Sequence, residues 1–227
     1  LVFAAPNWPN QRGPHFNGSG GQDLKLPAQF SPTENVDWKA ELPGASAATP
    51  VVWNDHVFVN AVDREKKEIH AICLQASTGK ILWSRVVVKG RVRIDDRSDF
   101  SSPSPVTDGK HVAFFFGNGE LIVYDMSGKE IWRKNMIPPG EKYFAFQWTF
   151  STSPILFEGN LIMQVLQRDV PFSYAGLPRG KQDANSIPSY LVAFDFATGG
   201  QKWRAERPAK AVAESLEAFT SPVVSPT

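Results

Sequence analysis

Cysteine is almost missing from this chain. The 227 residues contain one, Cys73, which excludes an intrachain disulfide, and no second Cys accompanies it as a metal partner would. Histidine is sparse too. His15, His56, His70 and His111 show no metal-ligand spacing. Charge of one sign is absent: 24 Lys and Arg stand against 23 Asp and Glu, a net of +1, with no basic run. That argues against nucleic acid or an anionic membrane as partner. Long hydrophobic runs are also missing. Leu1-Val2-Phe3-Ala4-Ala5 is too short to span a bilayer, and no transmembrane segment is expected. Helical periodicity is scarce, its best stretch, Ala209 to Ala218, being worth one or two turns. No nucleophile elbow occurs. Gly18-Ser19-Gly20-Gly21 has no helix after it, so it reads as a flexible lead-in and not a phosphate loop.

What the chain has is repetition. AICLQASTGKILW (71–83), LIVYDMSGKEIW (121–132) and LVAFDFATGGQKW (191–203) each combine an apolar strand, a Ser/Thr-Gly turn and a short strand ending in Trp83, Trp132 or Trp203. A second phrase runs in step. Thr49-Pro50, Ser104-Pro105, Ser153-Pro154 and Ser221-Pro222 each open an apolar run, and the proline is tolerated because a first strand residue need not donate to the ladder. His56, His111 and Asn160 then start equivalent second strands. The unit is four short antiparallel strands.

Trp38 to Trp83 is 45 residues, Trp83 to Trp132 is 49 and Trp132 to Trp203 is 71. Four strands in about 40–50 residues is the blade of a β-propeller. The expected fold is therefore all-β, with a lead-in over 1–34 and a partial propeller over 35–227. The blades are expected at about 46–88, 100–137 and 149–208, and a further one begins near 219. The long copy carries an insertion loop over 167–189, rich in Pro, Gly and Ser. Three full blades with flanking strands cannot close a ring, so the remaining blades are expected from a longer chain.

Because the repeated residues build the scaffold, activity belongs to what differs between copies. Gly79, Gly128 and Gly199 supply positive φ in the turns. Asp125 and Asp195 accept bonds from turn amides, with Gln75 at the same place in the first copy. Trp83, Trp132 and Trp203 recur in step with the repeat and are packing groups. The loops entering the innermost strands do vary. They offer Arg97, Asp99, Gln147, Trp148 and Glu217 as candidate residues for one channel mouth, a mixture suited to a polar ligand with a flat face. The competing reading is that Trp148 and Phe150 pack between blades and that the charges pair with one another. No catalytic residue and no metal ligand set is identified.

These motifs resemble the quinoprotein-like β-propeller family, whose blades carry the tryptophan-docking pattern Ala-x-Asp-x-x-Thr-Gly-x-x-x-Trp. Ala193 to Trp203 fits it, and the 73–83 and 123–132 copies fit with departures. Cys73 takes the place of the pattern's small residue, so it is expected to face the blade core. Trp8-Pro9-Asn10-Gln11-Arg12-Gly13-Pro14 resembles the opening of secreted bacterial propellers. The resemblance implies export, with 1–5 as the remnant of a signal peptide. The function it implies is a non-catalytic binding or scaffold module for a protein or polysaccharide partner, without a cofactor. The alternative is a dehydrogenase using pyrroloquinoline quinone (PQQ) with Ca²⁺. Such enzymes hold the quinone between a Trp and an adjacent-Cys disulfide, which one cysteine cannot form. A third reading, a polysaccharide hydrolase or lyase, needs paired carboxylates, for which Asp99 and Glu217 are the nominees.

Overall fold

The computed structural model describes residues 7–20, 27–90, 99–137, 144–146, 148–168, 188–208, 210–211 and 213–224. Among the described residues, twelve strands form three four-stranded antiparallel sheets, each in simple up-and-down order. The first holds β1 (Val51–Trp53), β2 (His56–Asp63), β3 (Glu68–Gln75) and β4 (Ile81–Lys89). In the second are β5 (Val106–Thr107), β6 (His111–Phe115), β7 (Glu120–Asp125) and β8 (Glu130–Asn135). The third comprises β9 (Ile155–Phe157), β10 (Asn160–Val165), β11 (Tyr190–Asp195) and β12 (Gln201–Glu206). β5 touches both β1 and β9, so the first strands of the sheets line up side by side as the inner edge of an incomplete propeller. Of the helical stretch read at 209–218, one 3₁₀ turn forms over Ala213–Leu216.

The core lies between sheets. Strand alternation sends one set of side chains to each face. Val112, Phe114, Ile122 and Tyr124 therefore meet Phe58, Cys73 and Trp83 of the first blade, while Ala113, Phe115, Leu121 and Val123 meet Leu161, Met163, Val192 and Phe194 of the third. Cys73 is fully buried in this core, and burial pushes its thiol up to about 12, far from a reactive thiolate.

One joint recurs at each blade boundary. Trp38, Trp83 and Trp132 lie against Gly79, Gly128 and Gly199 of the following Ser/Thr-Gly turn. Their indole N–H groups donate to the carbonyls of Ala76 (2.7 Å), Met126 (3.0 Å) and Phe196 (2.8 Å). A bulge precedes Trp83, Trp132 and Trp203 alike, where the pairing shifts at Cys73/Leu74, Val123/Tyr124 and Ala193/Phe194. An extra residue there re-aims the side chain that follows. Trp203 keeps the bulge but is 42% exposed.

The turn aspartates accept hydrogen bonds from their own turns. Asp125 Oδ1 accepts from Ser127 N (2.9 Å), Ser127 Oγ (2.6 Å) and Lys129 N (2.9 Å), and Asp195 Oδ1 accepts from Thr198 N and Oγ1. In the first blade Gln75 recruits a carboxylate from the neighbouring turn: its Nε2 donates to Asp55 Oδ2 at 2.8 Å, while Asp55 Oδ1 accepts from Ser77 N. The Ser127 hydroxyl is the main reason that the Asp125 pKa is lowered. For Asp55 the main cause is the Gln75 amide, and for Asp195 the Thr198 hydroxyl.

Gly128→Ala tests the joint. Its φ is +79°, and an added Cβ would sit 2.7 Å from Trp83 Cδ2. Gly159 has a φ of +73° but nothing within 4 Å, so Gly159→Ala carries the backbone strain alone, roughly 1–2 kcal/mol. Gly128→Ala is expected to destabilise by clearly more than Gly159→Ala in chemical denaturation, and equal losses would show that the ring contact is unimportant. The lowered aspartate pKa values also set an acid limb. Their stabilisation is present above the unfolded-state carboxylate value, about 4, and is lost as pH falls through the depressed folded values. Stability should therefore drop below about pH 4, with a shallower drop in Asp125→Asn.

Candidate functional site

The Ser/Thr-Pro phrases do more than open strands. The backbone N–H of Thr49 donates to Ser104 Oγ (2.9 Å), that of Ser104 to Ser153 Oγ (2.9 Å), and that of Ser153 to Ser221 Oγ (3.0 Å). Proline cannot donate, but the residue before it can, and each blade passes its free N–H to the next blade's hydroxyl. The result is a chain of hydrogen bonds running around the inner edge. Residues 219–224 contain no described strand, yet Ser221 takes its place in this chain.

The N-terminal segment crosses the same edge. Trp8 and Val52 exchange both backbone bonds, at 2.8 and 2.9 Å, Pro9 O accepts from Thr107 N at 2.9 Å, and Asn7 Oδ1 accepts from Asn54 N. Gln11 Oε1 accepts from Ser221 Oγ at 2.9 Å, across 210 residues of sequence. Asn10, 4% exposed, closes the turn by donating to Gly13 O and accepting from Arg12 N. Residues 7–13 are thus a strap over the first two inner strands and the Ser221 phrase, where the sequence suggested only a lead-in.

Two carboxamides tie the entry segments from behind. Asn60 on β2 donates to Pro103 O (2.8 Å), and Gln164 at the same place on β10 donates to Thr220 O (2.9 Å). Pro103 and Thr220 each precede a Ser-Pro phrase. Phe115 holds this position in the second blade, where it packs edge-on to Phe150 at 5.5 Å.

Of the mouth candidates, Arg97 and Gln147 lie outside the described residues. Asp99 is 4% exposed and is engaged within its own turn: Oδ1 accepts from Ser101 N at 2.7 Å and from Ser101 Oγ at 2.6 Å. Glu217 forms an ion pair with Arg168, the two side chains being 1% and 11% exposed. Arg168 N donates to Ala145 O, so this pair joins the entry loops before and after the third blade. Trp148 is half-buried; around it in sequence, Phe144 stacks on Phe150 at 4.5 Å and Phe146 meets the half-exposed Phe219 edge-on at 4.9 Å. Phe150, at 2% exposure, is a packing aromatic.

The insertion read at 167–189 falls mostly outside the described residues, but its two ends are joined. Gln167 N donates to Ser189 Oγ (2.9 Å), whose hydroxyl returns a bond to Gln167 O. The Gln167 carboxamide accepts from Ala145 N and donates to Pro188 O. Sequence reasoning missed the Gln167 neck, the Asn60 and Gln164 ties and the strap.

The Asp99 carboxylate is held through Oδ1 by Ser101, and that of Glu217 by Arg168. The described residues do not compose a quinone and Ca²⁺ cradle. The same two carboxylates are already engaged, Cys73 is buried inside a blade interface, and no group of three His, Cys, Asp or Glu among the described residues could hold a metal.

The repeat, the blade joint and the up-and-down sheets define a propeller of the PQQ-repeat class. Within that class the chain belongs to the family described as outer membrane protein assembly factor BamB, which matches residues 29–170. It is similar to a quinohemoprotein alcohol dehydrogenase of Comamonas testosteroni, at 28% identity over 166 residues that span 69% of this chain and 19% of that protein. The chain thus spans about one fifth of the length of this curated relative. A crystal structure of the quinohemoprotein alcohol dehydrogenase from Comamonas testosteroni shares the fold at a TM-score of 0.59 and 20% identity, over 90% of this chain and 28% of that one. Among the described residues no helix is long and apolar enough to cross a membrane.

Removing one charge from the buried pair tests the mouth's support. Glu217→Gln removes the carboxylate of this buried pair and is expected to cost roughly 3–5 kcal/mol in denaturation. A second change, Arg168→Met, should recover part of that loss, and a double variant as unstable as the sum of the two singles would contradict the pairing.

Proposed function

We propose that this chain is part of an exported propeller that acts as a non-catalytic binding or scaffold module for a protein or polysaccharide partner. The observation that carries the proposal is how the mouth's acidic groups are used. Asp99 and Glu217 hold their entry loops in place and so present a shaped surface instead of a reactive pair. The proposed contact surface is the channel mouth formed by Arg97, Asp99, Gln147, Trp148 and Glu217. In this reading Arg97, Gln147 and Trp148 supply the contacts to the partner, while Asp99 and Glu217 brace their own loops. A half-buried indole on a held loop suits both a sugar ring and an apolar anchor of a protein partner. Export is supported by the description of the family, which places its work in outer membrane protein assembly.

The test uses the full-length protein. PQQ and Ca²⁺ are added, and reduction of an artificial electron acceptor is followed with alcohols and sugars as donors. No saturable reduction is expected, and its appearance would establish the dehydrogenase reading instead. In parallel, binding to a glycan array and to purified envelope proteins is measured. Trp148→Ala is expected to weaken the bound partner by about tenfold or more, the cost of truncating an aromatic anchor. Binding that ignores Trp148, Arg97 and Gln147 would place the contact surface elsewhere.

A further inference from the structure

A cavity of about 520 Å³ lies between the outer strand of the second blade and the third blade. Lys134 and Met136 line one side, and Tyr190, Phe194, Gln201 and Arg204 the other. Two cations face it. The Arg204 guanidinium stacks over the Tyr190 ring at 3.7 Å, and Lys134 Nζ stands 5.3 Å from the Phe194 ring centroid. Neither forms an ion pair among the described residues. Val192 and Ile137 add apolar surface to the lining, and Asn135 and Gln167 add polar groups.

The protein supplies its own comparison at the preceding boundary. Strand pairing sets Val192 opposite Arg204 and Phe194 opposite Gln201 in the third blade, just as Ile122 stands opposite Arg133 and Tyr124 opposite Glu130 in the second. Arg133 is therefore the repeat counterpart of Arg204, and it is neutralised twice: by Glu130 at 3.0 Å and by Glu120 at 3.6 Å. In the third blade both carboxylates are replaced. Tyr190 stands where Glu120 would be, and Gln201 where Glu130 would be. The arginine is kept and its anions are gone. Glu206, opposite Tyr190 on β12, is neither in ion-pair contact with Arg204 nor part of the cavity lining.

We infer that this inter-blade cavity binds a small organic anion, a carboxylate carried on a ring. A guanidinium stacked on an aromatic face leaves its N–H edge free for bidentate contact with a carboxylate. Lys134 adds a second positive charge, and Gln201 offers an amide for a hydroxyl or the carboxylate. Phe194 and Met136 provide the apolar surface that a ring needs. The volume fits one such ligand. The site uses none of the entry-loop residues and stands independently of the function proposed for the mouth.

The experiment measures binding to the full-length protein by calorimetry, with glucuronate and benzoate as ring carboxylates, glucose as the uncharged ring and sulfate as the inorganic anion. Saturable binding of either ring carboxylate is expected, weakened about tenfold or more by Arg204→Gln. Gln201→Glu restores the internal carboxylate of the second blade and should abolish binding while the melting temperature is kept or raised. Both positions are solvent-exposed, so folding is not at stake. Glucuronate binding favours a sugar-acid ligand and benzoate binding an aromatic acid, and either supports the proposal. It is overturned if neither ring carboxylate binds, if glucose or sulfate binds as well as they do, or if Gln201→Glu leaves binding unchanged.

Discussion

The indole lying on a turn glycine is the contact on which the rest of this structure depends. It asks for three things at one place. The turn must take positive φ, its second residue face must carry no Cβ, and a carbonyl must point at the ring's N–H. Glycine meets the first two demands together, which is why Gly79, Gly128 and Gly199 each sit beneath a tryptophan from the preceding repeat. A large flat ring buries much apolar area at the periphery, where neighbouring blades diverge. The bulge before each tryptophan turns the side chain toward the neighbouring blade and away from its own sheet.

Once the outer edges are held this way, the inner edges come close enough for the serine chain to form. The same hydroxyl accepts the N–H of the preceding blade and marks the start of its own inner strand. The entry loops are therefore anchored at their ends by a repeated bond and free to vary before it. Within them, polar groups are absorbed locally: Asp99 by Ser101, Glu217 by Arg168, Gln167 by Ala145 and Pro188. The described parts of the entry loops are braced from within, and the strap from Asn7 to Gly13 ties the inner edge across.

Much of the fold was legible in the residues. The all-β propeller, the four-strand unit, the Ser/Thr-Gly turns and the packing role of the tryptophans could be read because each depends on neighbours in sequence or on a pattern repeated in register. Phe150 is buried against Phe115 and Phe144, Asp99 is held by Ser101 and Glu217 pairs with Arg168, while Arg97 lies outside the described residues. What the pattern could not show were bonds made once. Gln75 looks like a departure from the turn aspartate until Asp55 is found beside it. Asn60 and Gln164 look like polar interruptions of apolar strands until the carbonyls of Pro103 and Thr220 appear opposite them.

By itself the sequence determined where strands and turns lie, how many residues make a blade and which side of each strand is apolar. Those properties follow from φ preferences and two-residue alternation, which act over a few consecutive residues. Only the tertiary structure decided the partners of the polar groups. Gln11 finds Ser221 across 210 positions, and Arg204 is left without the two carboxylates that its counterpart Arg133 has. Hydrogen bonds and ion pairs act over a few ångströms of space, and which side chains come within that distance is set by how blade packs on blade.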